Sequence, residues 1–327
     1  MHTNQDGDKR CDLTTILSSN ESFDVVVFSH ALDDHVKGAK DFFWFDYAKA
    51  YQGDNRATIK ELWVSSAFVL DSNVCEDARV IRQEARHRLK EGYGIKVFAE
   101  PDSLNQWIED NELVKEDVED SIIHAGTLLK NVDHDLGDEL EIFVHAPFSE
   151  DSEDSEDRNE PSIVLQLRLI NGNRISKILI TGDITHEILD KIVKRSENAG
   201  NCNYLNWDIY DIPHHCSHTG LSDECGDEIT DTTDDIKRLL SHYAQQKAVM
   251  IASCRAFNDV GENDNQPPHY QARNAYKKYS GKRFIATMEY PNENRPKPIV
   301  YEIDSFGINE KVNTVNPIVS SPAPRAG

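Results

Sequence analysis

The chain has 327 residues, 38 % hydrophobic and 28 % charged, with 58 acidic against 35 basic side chains and a formal net charge of −23. So acidic a surface repels phosphate backbones and disfavours broad duplex nucleic-acid binding, although divalent cations can supply positive charge locally. No apolar run approaches the roughly 20 residues that cross a bilayer, the first residues hold no apolar signal segment, and the six cysteines are scattered without a C-x-x-C pair. Reduced thiols and a cytoplasmic location are the simplest expectation.

The chain opens on polar residues, with one short helix expected near 13–17. Residues 23–28 (Phe-Asp-Val-Val-Val-Phe) form an apolar run that reads as a buried strand. His30, Asp34 and His35 follow at once, before a helix-compatible stretch opening near Val36. An aromatic-rich helix is predicted around 41–50, with Phe42, Phe43, Trp44, Phe45 and Tyr47. Nothing basic is interleaved there, so the rings read as core contacts and not as a platform for bases. A strand over 61–66 precedes an amphipathic helix over 77–91, closed by Gly92. Its Arg79, Arg82, Arg86, Arg88 and Lys90 read as a solvated face with Glu84 and Glu91 as partners.

A short strand over 95–99 and a helix from Ser103 come next, then a mixed acidic stretch over 111–138. A second buried strand, 140–144, runs into His145-Ala146-Pro147. Residues 149–160 are low-complexity and acidic, and read as a solvated loop inserted into the domain, since strands resume on both sides. Asn171-Gly172-Asn173 joins strands 162–170 and 174–181 into a hairpin whose second strand ends in Gly182-Asp183. A helix over 187–195 leads to a strand over 207–212, which ends in Pro213-His214-His215-Cys216-Ser217-His218. Helix 234–246, strand 248–253, Pro267-Pro268-His269, helix 270–279 and strands 283–288 and 298–303 complete one domain over 1–311. The proline-containing stretch 312–327 reads as a disordered tail.

Four strands thus end in residues able to bind metal: His30/Asp34/His35, His145, Asp183 and His214/His215. Any one alone reads as a rim histidine or a turn; four together point to a shared site, because parallel neighbours bring their C-terminal ends together. Ser29-His30 and Cys216-Ser217-His218 give little support to a nucleophilic triad, since neighbours along a strand face opposite ways.

The arrangement resembles the metallo-β-lactamase superfamily over most of residues 23–303. His30-Ala31-Leu32-Asp33-Asp34-His35 stands where that family has H-x-H-x-D-H. Asn159-Glu-Pro-Ser-Ile-Val-Leu, Leu179-Ile-Thr-Gly-Asp183, Asp211-Ile-Pro-His-His-Cys-Ser and Pro267-Pro268-His269 resemble most closely the hydrolase domain of the DNA-uptake protein ComEC and its soluble relatives. The resemblance implies an α/β (α+β) fold of the αββα sandwich type and a hydrolytic site with one or two zinc ions, or manganese. By position, His30 and His145 would hold one metal, Asp34, His35 and His214 the other, and Asp183 would bridge; His215 is the alternative to His214. Asp34 would also take a proton from water, and His269 or His218 would serve the leaving group.

Leu32 stands where the family has a second histidine, Cys216 where it has a glycine, and the N-terminal hairpin of the family is not legible before Val25. The implied reaction is cleavage of a small or single-stranded phosphodiester. The alternatives are a small-molecule ester or lactone hydrolase, and a degenerate binding or scaffold protein.

Overall fold

In the computed structural model the described residues are 16–17, 20–130, 132, 139–153, 159–257, 265–280 and 283–311. The fold is mixed α/β, with one parallel and one mixed sheet. Strands β1 (Ser22–Phe28), β2 (Thr58–Ser65), β3 (Ile95–Phe98) and β4 (Ile122–Ile123) form a parallel sheet in that order, with β1 at an edge. The larger sheet contains β5 (Leu128–Lys130), β6 (Leu140–Ala146), β7 (Val164–Asn171), β8 (Arg174–Ile180), β9 (Trp207–Ile212), β10 (Ala244–Ala252) and β11 (Phe284–Ala286). Its order is β11-β10-β9-β8-β7-β6-β5: antiparallel from β5 to β8, parallel from β8 to β11. A small hairpin, β12 (Tyr301–Asp304) with β13 (Gly307–Glu310), follows.

Period-two alternation assigns the faces. On β2, Leu62 and Val64 pack with residues of the helices, whereas Trp63 packs with Ile142, Val144 and Leu165 of the larger sheet. The two sheets therefore meet face to face. The helices on the smaller sheet are α1 (Asp33–Val36), α2 (Ala39–Phe42), α3 (Ser66–Leu70), α4 (Glu76–Glu91), α5 (Asp102–Asp110) and α6 (Lys115–Val118). On the far face of the larger sheet, α7 (His186–Asn198), α8 (Asp234–Ser241) and α9 (Tyr270–Ser280) pack Ile188, Leu239 and Ala272 with Leu179, Tyr210 and Met250. No described helix is long and apolar enough to cross a membrane.

Four sequence expectations change. The aromatic stretch is not a helix over 41–50: α2 stops at Phe42, and Phe43 is extended and bridges Ala57. Consecutive rings would point around the whole circumference of a helix. The end of α2 and the extended chain after it instead bury Phe42, Phe43 and Phe45, with Phe43 edge-on to Phe23 and Phe28. The helix expected over 234–246 ends at Ser241, because β10 begins at Ala244 opposite Trp207 and sheet pairing overrides the helical preference of Gln245 and Gln246.

Arg79 and Lys90 of α4 are exposed as expected, whereas Arg82, Arg86 and Arg88 turn away from solvent. Arg86 donates to the Val69 carbonyl and Arg82 to that of Asp71, satisfying orphan acceptors at the end of α3. Arg88 and Glu84, 2 % and 0 % exposed, are bonded at 2.7 Å; Arg88 also donates to the carbonyls of Ile59 and Gly94, and Glu84 accepts from the N–H of Tyr47. Removing one partner leaves a buried charge, so Glu84→Ala is expected to cost about 3–5 kcal/mol in urea unfolding, against much less for Glu91→Ala. A loss below about 1 kcal/mol would contradict this reading.

The acidic insertion begins docked, not solvated: Lys191 of α7 binds Glu150 at 3.1 Å and Asp151 at 2.5 Å. Its centre, most of the helix expected over 13–17, any strand before residue 16 and the tail from 312 lie outside the described residues.

Candidate metal centre

Three backbone devices converge on one end of the sheets. β1 ends at Phe28, and the short α1 places Asp34 and His35 on its first turn. β8 ends at Ile180 and, two residues on, Gly182 holds φ +58°, where a Cβ would lie 3.1 Å from Ser162 and 3.4 Å from Ser29. Glycine there lets the ends of β1 and β8 approach, with Asp183 turned into the gap. β9 ends at Ile212, and after Pro213 the residues His214, His215 and Cys216 all hold positive φ, +50°, +52° and +66°. Three consecutive non-glycine residues in the left-handed region cost of order 1–3 kcal/mol each and persist only where the surroundings over-determine them.

His35 Nε2 lies 3.1 Å from Asp183 Oδ1 and 3.1 Å from His215 Nε2. His215 Nε2 lies 3.1 Å from Asp34 Oδ2 and 3.3 Å from Asp183 Oδ2, and His35 Nε2 is 4.0 Å from Asp34 Oδ2. Zinc binds nitrogen and oxygen at about 2.0–2.1 Å, so ligands at tetrahedral corners stand about 3.3–3.4 Å apart. The four side chains hold nearly that spacing, and their donor atoms form one grouping.

The tautomer of His215 is fixed from behind. Its Nδ1 donates to the Ser253 carbonyl at 2.7 Å, which is the outer-shell bond that turns an imidazole lone pair towards a metal. His30 is buried with Nδ1 near the hydroxyls of Ser29 and Ser162, at 3.1 and 3.2 Å. Its Nε2 is buried, has no hydrogen-bond partner and lies 3.9 Å from Asp183 Oδ2. An orphaned nitrogen beside a carboxylate fits a cation between them.

The electrostatics have the same sense. Burial lowers the His215 pKa, but bonds to Asp183 and Asp34 outweigh it and raise the group to about 11. Burial opposes ionisation of Asp183, yet bonds from His215 and His35 hold it far below the usual carboxylate range. The His215 bond likewise lowers Asp34. Burial, then His35, lowers His30 to about 3. Burial and the Asp183 charge raise Asp211 to about 7. A proton on His215 thus holds together two carboxylates at the place a divalent cation would take, and ion binding must release it.

Of the residues expected from sequence, His30, Asp34, His35 and Asp183 come together; His214, His145 and His269 stand elsewhere. The turn sends His214 to Thr219 (Nδ1 to Oγ1, 3.0 Å) and brings His215 into the cluster. His269 supports the same turn: its N–H donates to the Cys216 carbonyl, and its Nδ1 accepts from the N–H of His218. Leu32 is the N-cap residue of α1.

His145 is displaced by strand phase. Ile142 and Val144 of β6 face the smaller sheet, so Phe143 and His145 face the other way, where Phe143 stacks on Tyr204 at 4.0 Å and His145 Nε2 donates to the Tyr204 carbonyl at 3.0 Å. Burial lowers its pKa to about 4, below the ordinary 6.5. A depressed histidine contributes stability that is present above the unfolded pKa and is lost as pH falls towards the folded one. Between pH 7.5 and 5 this term should remove about 2 kcal/mol, and His145→Gln should flatten the unfolding–pH slope by that amount. An unchanged slope would contradict the assignment.

A cavity of about 580 Å³ between the sheets opens onto the cluster; His35, Asp183, Asp211, His215 and Ser253 line its inner end. Asp211 stood in one of the stretches that carry the resemblance but was not among the residues expected at the site, and Ser253 had no signal beyond its strand end. A second grouping, His186, Glu187 and Asp223, is more open, with both carboxylate residues exposed. Comparison of the chain with protein-family models, curated proteins and solved structures finds no match.

Proposed function

We propose that the protein is a metal-dependent hydrolase on a metallo-β-lactamase-like αββα sandwich. The observation that carries the reading is the convergence of His35, His215, Asp34 and Asp183 at ligand spacing, with the orphaned Nε2 of His30 beside them. Two imidazoles and two carboxylates suit zinc, and manganese second. His35, His215, Asp34 and Asp183 would hold one ion, and His30 with Asp183 is what remains of a second position. Such an ion supplies Lewis acidity at the scissile group and makes water a nucleophile near neutral pH.

The chain's own residues do the rest. Asp183, buried and fixed by both histidines, holds the geometry of the centre. Asp34, whose side chain is 57 % exposed, stands on the solvent side, where it can accept a proton from the attacking water. His215 is oriented by Ser253 and His30 by Ser29 and Ser162. His269 supports the turn behind His215, and the proposal gives it no proton to deliver.

Cleavage of a phosphodiester follows from the sequence resemblance. Hydrolysis of a small-molecule ester or lactone is the second reading, and the described lining of the cavity favours it, because it includes no lysine or arginine to meet a phosphate chain. Protein stripped with chelator and reloaded with one equivalent of zinc or manganese should hydrolyse bis(p-nitrophenyl) phosphate or p-nitrophenyl butyrate. Failure to retain either metal would sink the enzyme reading and leave the scaffold one. Retention without turnover of either substrate would restrict the reading to metal binding.

A further inference from the structure

The cavity beside the centre is lined differently from what a polynucleotide needs. One wall is β1 and β2, with Val25, Val27 and Trp63; the other is β7 and β8, with Leu165, Leu167 and Ile180. β1 has no strand on its outer side among the described residues, and no described strand closes the two sheets along that edge. The cleft runs beside β1 from Asp24 to Ser29, about 16 Å at the rise of a strand. A main-chain bond from the Ile163 N–H to the Ser29 carbonyl, 3.2 Å, ties the sheets at the inner end. Val27 and Ile180 are 39 % and 37 % exposed in this cleft.

The charges that line it are carboxylates and imidazoles. Asp183, Asp211, His35 and His215 stand at the inner end, and Asp24 at the outer end is paired with Lys60 at 2.5 Å. A polynucleotide threaded through the cleft would place successive phosphates against apolar walls, and lysines (Lys60, Lys96 and Lys130) line only the adjoining pocket beyond Asp24 at the outer end, far along the cleft from His35 and His215. Its volume and its few polar groups at one end instead match a small-molecule site.

We propose that the cleft binds the hydrocarbon part of the substrate, so that the molecule hydrolysed is an amphiphilic ester or phosphoester, its head at the metal centre and its chain between the sheets. The identity of the head rests on the hydrolase reading above; the chain site rests on the walls of the cleft. Continuity with the cluster argues for this occupant over a peptide strand or a second copy, because His35, Asp183 and His215 line the same space as Val27 and Ile180.

Calorimetry of the zinc-loaded protein with methyl phosphate, n-octyl phosphate and a single-stranded oligothymidylate tests it. Octyl phosphate should bind about 100-fold tighter than methyl phosphate, the return for burying about three to four of the added methylenes at about fourfold apiece. In Val27→Asn and Ile180→Asn, whose positions are already partly open to solvent, the ratio should fall below about tenfold with zinc content unchanged. n-Octanol carries the chain without the head and should bind with or without zinc, so loss of the metal reading leaves the chain site readable. Equal binding of the two phosphates, tighter binding of the oligonucleotide, a ratio untouched by either variant, or a cleft closed by a second copy in a dimer would overturn the proposal.

Discussion

His215→Ala is expected to weaken zinc binding by more than about 100-fold, whereas His214→Asn should leave it within about threefold. Disturbing an outer-shell partner already costs about 10–100-fold in metal affinity, and a direct ligand costs more. His215 Nε2 stands within 3.1–3.3 Å of both carboxylates, whereas His214 meets Thr219. Asparagine is the replacement for His214 because it tolerates φ +50° better than alanine does, so the turn that carries His215 is kept. A competitive chelator titration reads both variants. A larger loss in His214→Asn than in His215→Ala would reverse the ligand assignment.

Zinc at about a thousandfold over its Kd should stabilise the wild type by about 4 kcal/mol, and Asp183→Ala should abolish that gain. For a domain of this size the gain corresponds to a rise of roughly 5–10 °C in Tm. Asp183 carries the effect because both its oxygens are committed, one to His35 and one to His215. Without it two imidazoles face each other at 3.1 Å with only the more exposed Asp34 to balance a cation. Thermal unfolding with and without zinc measures the difference. The same zinc-induced shift in Asp183→Ala and wild type would remove Asp183 from the centre.

Strand β9 was legible from residue to residue, because its apolar run is closed by Pro213. The hairpin β7–β8 and the cluster of His30, Asp34, His35 and Asp183 were legible for similar reasons: short apolar runs, an Asn-Gly turn and ligand-type residues just past them. His145 was not, since a histidine at a strand end can lie on either face, and only the packing of Ile142 and Val144 sets its phase. That His215 and not His214 reaches the cluster follows from three successive positive-φ residues, a conformation that composition does not announce. Cys216, which stands where the resembled family has a glycine, holds φ +66° and is also fully buried in the core of the larger sheet. The buried Arg88–Glu84 pair looked like solvated helix surface because an i, i+4 pattern of charges carries no sign of which face the core will cover.

The most direct measurement is anomalous diffraction at the zinc edge from crystals grown with zinc. The expected result is a peak between His35 Nε2, His215 Nε2, Asp34 and Asp183, with ligand distances of about 2.0–2.2 Å. A peak only at His186 and Asp223, or none in either place, would contradict a metal centre at the ends of β1, β8 and β9.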